Sequence, residues 1–215
     1  MSDITSSIPW DARLARRLVT PLVNSWVTPN HLTTLRLIVG LAAAAAFVPG
    51  TYGWSNMAAL LLVCSNFLDH TDGELARMTG KTTRLGHFYD LASDAAVTIP
   101  LFIAIGVGIE KNPGVDMGVP PALLGTFAGI AVAWIFYWRM RIEERLGKSA
   151  TRQSSRVGFE TEDVLYLLPL ATLCSALPQL LIAASICAPL FAIWVTVDYM
   201  RVRRTERRAA DGVSE

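Results

Sequence analysis

The chain has 215 residues, of which 52% are hydrophobic and only 17% charged, with a mean hydropathy of +0.39 and a net charge of +1. That balance excludes an ordinary small soluble enzyme, and the near-neutral total gives no reason to expect nucleic acid as a partner. The length suits about six membrane spans of ~20 residues each.

Ile8 to Trp26 reads as an amphipathic stretch, with Trp10, Leu14, Leu18 and Leu22 facing one way and Arg13, Arg16 and Arg17 another. Its length and charges predict a helix lying in the headgroup layer; a secretory signal would need an uninterrupted apolar core. Cutting the remainder at its Pro, Gly and charge punctuation leaves six apolar runs, roughly 31–49, 55–76, 88–109, 119–140, 163–177 and 179–200. Each is expected to be a helix, because lipid leaves no partner for unpaired backbone groups and no period-two alternation is visible. The expected architecture is therefore an all-α polytopic membrane protein: residues 1–27 an interfacial segment, 28–205 a six-helix membrane domain, and 206–215 a polar tail.

The connections sort by charge. Arg77, Lys81 and Arg84 lie between the second and third runs, Arg139, Arg141, Arg145, Lys148, Arg152 and Arg156 follow the fourth, and Arg201, Arg203, Arg204, Arg207 and Arg208 follow the sixth, whereas the alternate connections carry only Lys111. The positive-inside rule then puts both termini on the cytoplasmic side. A bacterial inner membrane is the expected location.

Four aspartates, Asp69, Asp72, Asp90 and Asp94, lie at the end of the second run and the start of the third, on that same side. Ionised carboxylates beside hydrocarbon need a compensating partner, which marks this segment as the site. Asp69, Asp72, Gly73, Ala76 and Arg77 recur at three and four residues, along one helix face; Asp90 and Asp94 do the same on the next helix, one turn after Gly86. Two acidic stripes are expected to face each other across one crevice. Hard oxygen ligands in that number suit Mg²⁺, Mn²⁺ or Ca²⁺ and do not suit zinc. Gly73 and Ala76 leave the helix surface bare for a phosphate, and Arg77 supplies a forked cation. The combination points to a metal-bound pyrophosphate. Cys64, Cys174 and Cys187 lie in apolar runs at no ligand spacing and read as small buried packing residues. His70 follows Asp69 directly, so on a helix it points away from the acids, toward a neighbouring helix or the interface, and reads as a structural residue or one that supports a metal ligand from behind.

The complete pattern D-x-x-D-G-x-x-A-R, eight residues, G-x-x-x-D-x-x-x-D is present from Asp69 to Asp94, and it resembles the signature of the CDP-alcohol phosphotransferase (CDP-alcohol phosphatidyltransferase) family. Thr28-Pro29-Asn30-His31-Leu32-Thr33 is similar to a Pro-Asn-x-x-Thr segment common in that family. The resemblance implies that Asp69, Asp72 and Asp90, with Asp94 touching one ion, hold two Mg²⁺ or Mn²⁺ ions, and that Asp94 is the general base. It further implies that Gly73, Ala76, Arg77, Thr83 and Gly86 meet the CDP moiety, with Asn30 and Thr33 on the nucleotide side. The implied reaction is transfer of a phosphatidyl group from CDP-diacylglycerol to a polar alcohol with release of CMP; transfer of a CDP-linked headgroup to diacylglycerol is the alternative.

Arg139, Arg152 and Arg156 could form a basic mouth for a phosphorylated acceptor, with Asp163 nearby, although topology and anionic lipids explain the same arginines. Gly125 and Gly129 form a G-x-x-x-G that serves either a homodimer or packing within the chain. Pro169 and Pro189 are expected to kink spans. A cation or proton transporter is the rival class, because intramembrane carboxylates are its usual mark. Against it, these acids cluster at one membrane face and the motif is not repeated in the second half.

Overall fold

The computed structural model describes residues 10–81, 83–112, 114–146 and 167–211. Helices account for nearly all of them, and there is no strand among the described residues. In chain order the elements are α1 (Trp10–Val19), a 3-10 turn (Thr20–Leu22), α2 (Pro29–Phe47), α3 (Tyr52–Thr79), α4 (Arg84–Glu110), α5 (Pro121–Leu146), the short α6 (Leu168–Leu173) and α7 (Leu177–Asp211). Local chemistry sets the boundaries. Pro29 occupies the first turn of α2, where its missing N–H costs nothing, and the extended Thr28 precedes it. Gly80, at φ 65°, ends α3 in the left-handed conformation that glycine adopts without strain. Thr83 then caps α4, its hydroxyl accepting from the Gly86 N–H at 2.9 Å.

Among the described residues, four helices are long and apolar enough to cross a membrane: Pro29–Phe47, Leu85–Glu110, Pro121–Ile142 and Leu177–Arg201. The second predicted run lies within α3, which has 28 residues but dilutes its apolar character with Ser55, Asn56 and the acidic turn. The fifth run, 163–177, falls partly outside the described residues; within them it is only the six-residue α6, which stops at Ser175, a non-glycine residue with φ 53°. Pro169 starts α6 and so does not kink a span, whereas Pro189 lies inside α7 as expected and Pro100 lies inside α4.

The helix expected near the N-terminus is present as α1 and packs on α3. Among its described side chains, Ala15 and Val19 are buried against the protein, whereas Leu14, Leu18, Arg16 and Arg17 are exposed. The polar tail beyond Asp211 lies outside the described residues.

The core forms where α2, α3, α4 and α5 meet, around Phe47, Leu62, Leu101, Ile105 and the alanines Ala43, Ala58 and Ala128. A second cluster joins α5 to α7 through Ile135, Ile142, Val195 and Tyr199. Gly125 and Gly129 serve the first of these interfaces. A Cβ at Gly125 would lie 2.1 Å from the Phe102 carbonyl oxygen, and one at Gly129 would lie 3.0 Å from the Ile99 Cα, so both glycines are spent on seating α5 against α4. Cys64, Cys174 and Cys187 are exposed, contrary to the packing role expected of them. A thiol is apolar enough to face hydrocarbon, which is why residue type alone misplaced them.

The arrangement that matters for the site is the order of the packing. Helices α3 and α4 are consecutive, joined by a short turn, yet each packs far more extensively on α2 than on the other.

Candidate active site

The acids occupy the last turns of α3 and the first turns of α4. One carboxylate oxygen each from Asp69, Asp72 and Asp90 falls within 4.8 Å of the others, so the two stripes do converge. Helix α2 lines the place where they meet. Thr33 of α2 donates its hydroxyl to Asp72 Oδ2 at 2.7 Å, and Asp72 is only 6% exposed. One turn further along α2, Arg36 is 3% exposed and places its guanidinium among the acids. Nη1 pairs with Asp69 and, at 2.9 Å, with Asp90; Nη2 meets Asp94 at 2.5 Å. Asp94 thus stands outside the three-carboxylate group and is tied to it through Arg36. Helix α2 is itself fixed on both sides, by Ser65 of α3 donating to the Arg36 carbonyl at 3.0 Å and by Thr34 meeting the Tyr89 hydroxyl of α4 at 2.9 Å.

Sequence reasoning missed Arg36. A signal for it existed: it is the single charged residue of the run 31–49, and it follows Asn30 and Thr33 at steps of three, on one helix face. Four carboxylates gather round the one guanidinium of Arg36, so acids outnumber the base among these five side chains. Such a set of hard oxygen donors, under-neutralised and half-shielded from water, fits divalent cations.

The residues predicted around the acids fall into three groups. Gly73 is open: a Cβ there would meet only the Arg77 Nη2, at 3.8 Å. Arg77 is exposed and pairs with Glu74 at 2.6 Å, so its guanidinium lies over the bare surface that Gly73 creates, with Ala76 half-buried beside it. Gly86, Thr83 and Asn30 meet at the start of α4, where a Cβ on Gly86 would lie 3.0 Å from Thr83 Oγ1 and 3.4 Å from Asn30 Oδ1. Thr83 and Asn30 are exposed there, whereas Thr33 is buried on Asp72. Arg139 is half-buried on α5, one turn beyond Phe136, which lines a cavity shared with Asp69 and Asp94. Arg152, Arg156 and Asp163 lie outside the described residues.

That cavity, about 30 Å³, runs from the acids toward Leu62 and Leu101. It is large enough for a water molecule. His70 lines it too, and so does Asn66, whose buried Nδ2 has no hydrogen-bond partner among the described residues.

The profile of the CDP-alcohol phosphatidyltransferase family matches residues 26–202, which include every element that builds this site. The chain belongs to that family. Relatives extend the likeness over shorter stretches. An archaetidylinositol phosphate synthase of Pyrococcus horikoshii is 32% identical over 92 residues, covering 43% of this chain and 47% of that protein. A CDP-diacylglycerol–glycerol-3-phosphate 3-phosphatidyltransferase of Cereibacter sphaeroides is 30% identical over 90 residues, or 41% of each chain. Cholinephosphotransferase 1 of Danio rerio is 33% identical over 95 residues, covering 40% of this chain and 24% of that protein. The matched stretches therefore span less than half the length of these relatives. Their names differ in the alcohol concerned, so membership in the family leaves the acceptor of this chain open.

Proposed function

We propose that the chain transfers a phosphatidyl group from CDP-diacylglycerol to the hydroxyl of a polar alcohol at a membrane surface, releasing CMP, with two Mg²⁺ or Mn²⁺ ions held by Asp69, Asp72, Asp90 and Asp94. The observation that carries the reading is the convergence of three carboxylates beside an open glycine and an exposed arginine, within the span that matches the family. Six spans behind an interfacial α1, with the acidic end cytoplasmic, are the setting. A lipid donor then keeps its tails in hydrocarbon while its diphosphate reaches the acids.

Bound there, the ions would neutralise the diphosphate and make CMP a better leaving group. The chain's own groups do the remainder. Arg77 and the bare surface at Gly73 and Ala76 receive the diphosphate oxygens, with Thr83, Gly86 and Asn30 on the nucleotide side. Asp94 accepts the proton of the acceptor hydroxyl, whose oxygen forms a bond to the lipid-side phosphorus as the bond from that phosphorus to the CMP oxygen breaks. Arg139 of α5, with Arg152, Arg156 and Asp163 further along the chain, forms the acceptor side. A homodimer is compatible with this arrangement, but Gly125 and Gly129 do not supply its interface, since both are used within the chain.

The experiment is a CMP-release assay on purified protein with CDP-diacylglycerol and, in turn, glycerol phosphate, inositol phosphate, inositol, serine, choline and ethanolamine. Release with one of these acceptors is expected. The Danio rerio relative gives reason to run the reverse arm, CDP-choline with diacylglycerol, and turnover there alone would overturn the assignment of the donor. Ion flux in liposomes free of nucleotide would favour the transporter.

Gly73 offers a sharper check on the phosphate surface. A Cβ there meets only the exposed, flexible Arg77 guanidinium, so Gly73→Leu is expected to leave the melting temperature within a few degrees. It should nevertheless raise the KM for the CDP donor about tenfold or more, because the diphosphate needs that volume. Unchanged donor kinetics would move the diphosphate elsewhere.

A further inference from the structure

Arg36 lies within an apolar helix at 3% exposure, and its two terminal nitrogens reach carboxylates on both flanking helices. Nη1 is shared by Asp69 of α3 and Asp90 of α4, and Nη2 goes to Asp94. A planar guanidinium can be divided in this way; a lysine ammonium, a single point charge, cannot serve the same spread of oxygens. Removing that cation would leave four carboxylates facing one another. Because α3 and α4 pack chiefly through α2, direct packing between those two helices does little to resist the repulsion. A carboxylate lone pair that accepts from a guanidinium is also not available to a metal ion at the same moment. Arg36 and a divalent ion therefore compete for Asp69 and Asp90.

We infer that Arg36 is an internal counter-ion: it holds the acidic arms of α3 and α4 together before divalent cations arrive and gives up carboxylate contacts when they bind. This rests on the metal-binding reading above. By linkage, whatever Arg36 contributes to the ion-free site it subtracts from the affinity of the ions. The site is thereby assembled in advance at the cost of weaker metal binding.

The test uses the full chain purified in detergent as wild type, Arg36→Gln and Arg36→Lys. Thermal unfolding is followed in EDTA and in saturating Mn²⁺, and Mn²⁺ binding is titrated by electron paramagnetic resonance. Arg36→Gln is expected to melt well below wild type in EDTA and to recover in Mn²⁺, so that its Mn²⁺-induced gain in Tm is about twice that of wild type or more. Its Mn²⁺ affinity should rise about tenfold, since a positive charge a few ångströms from the ions has been removed. Arg36→Lys, which keeps the charge and loses the fork, should shift both readings in the same sense by less, and it carries the comparison if the glutamine variant does not accumulate. A wild-type protein that binds no Mn²⁺ removes the metal reading and this inference with it. Wild-type binding with unchanged Tm gain and affinity in the variants overturns the inference alone. Weaker Mn²⁺ binding in the variants overturns it too, because Arg36 would then support the bound ions instead of competing with them.

Discussion

Asp94→Asn is expected to lower CMP release by about a thousandfold while leaving Mn²⁺-dependent binding of CDP in place. The two parts of that outcome come from different atoms. Asn has the shape of Asp, and its amide oxygen can still accept from Arg36 Nη2, so the 2.5 Å contact that holds this side chain has a near-equivalent in the variant. What the amide cannot do is take up a proton from an alcohol. Asp94 also lies outside the group formed by Asp69, Asp72 and Asp90, so the ions keep three carboxylate ligands when it is neutralised. The measurements are initial rates of CMP release, CDP binding by calorimetry and Tm. Turnover near the wild-type rate would remove Asp94 as the base, and lost CDP binding with a lowered Tm would make it a structural residue.

Chelation is the second large effect. EDTA should take CMP release to background, and Mg²⁺ or Mn²⁺ should restore it, whereas Zn²⁺ should not, because the cluster offers hard carboxylate oxygens without cysteine ligands. The charge count explains the size of the effect. Arg36 is one base among four acids, so an anionic diphosphate of the proposed donor would meet excess negative charge there unless cations offset it. Asp90→Asn adds a graded version of the same loss: it removes one ligand and one Arg36 partner, and Mn²⁺ affinity should fall about tenfold or more while rates at subsaturating Mn²⁺ fall further. Release that continues in EDTA, with no metal detectable in the protein, would separate this chain's chemistry from the ions.

Much of this was legible because helices impose a period. Spacings of three and four residues put Asp69 and Asp72 on one face and Asp90 and Asp94 on another, and Gly80 and Thr83 punctuate the chain between them. Periodicity says which residues share a face of one helix; it does not say which helix lies opposite. The acidic stripes were expected to face each other, and their carboxylates do converge; what periodicity left out is α2, which contributes Thr33 and Arg36. Asn30 and Thr33 were connected with the site only through a familiar segment, and the spacing that continues from them to Arg36 went unread. The fifth run, 163–177, is described only in part: from 167 on it holds the six-residue α6, followed by Ser175 at φ 53°, a backbone detail that hydropathy does not reveal. The cysteines were misplaced because hydrocarbon outside a membrane protein is as apolar as its interior, so residue type does not distinguish the two.

The position of α2 as the common wall has an implication for biosynthesis. It precedes both acid-bearing helices in the chain, so during N-to-C synthesis its Thr33 and Arg36 are present before Asp72 or Asp90 has been made. Each later helix can then dock its carboxylates onto a surface that already carries their partners, and the negative charges need never enter the bilayer unaccompanied.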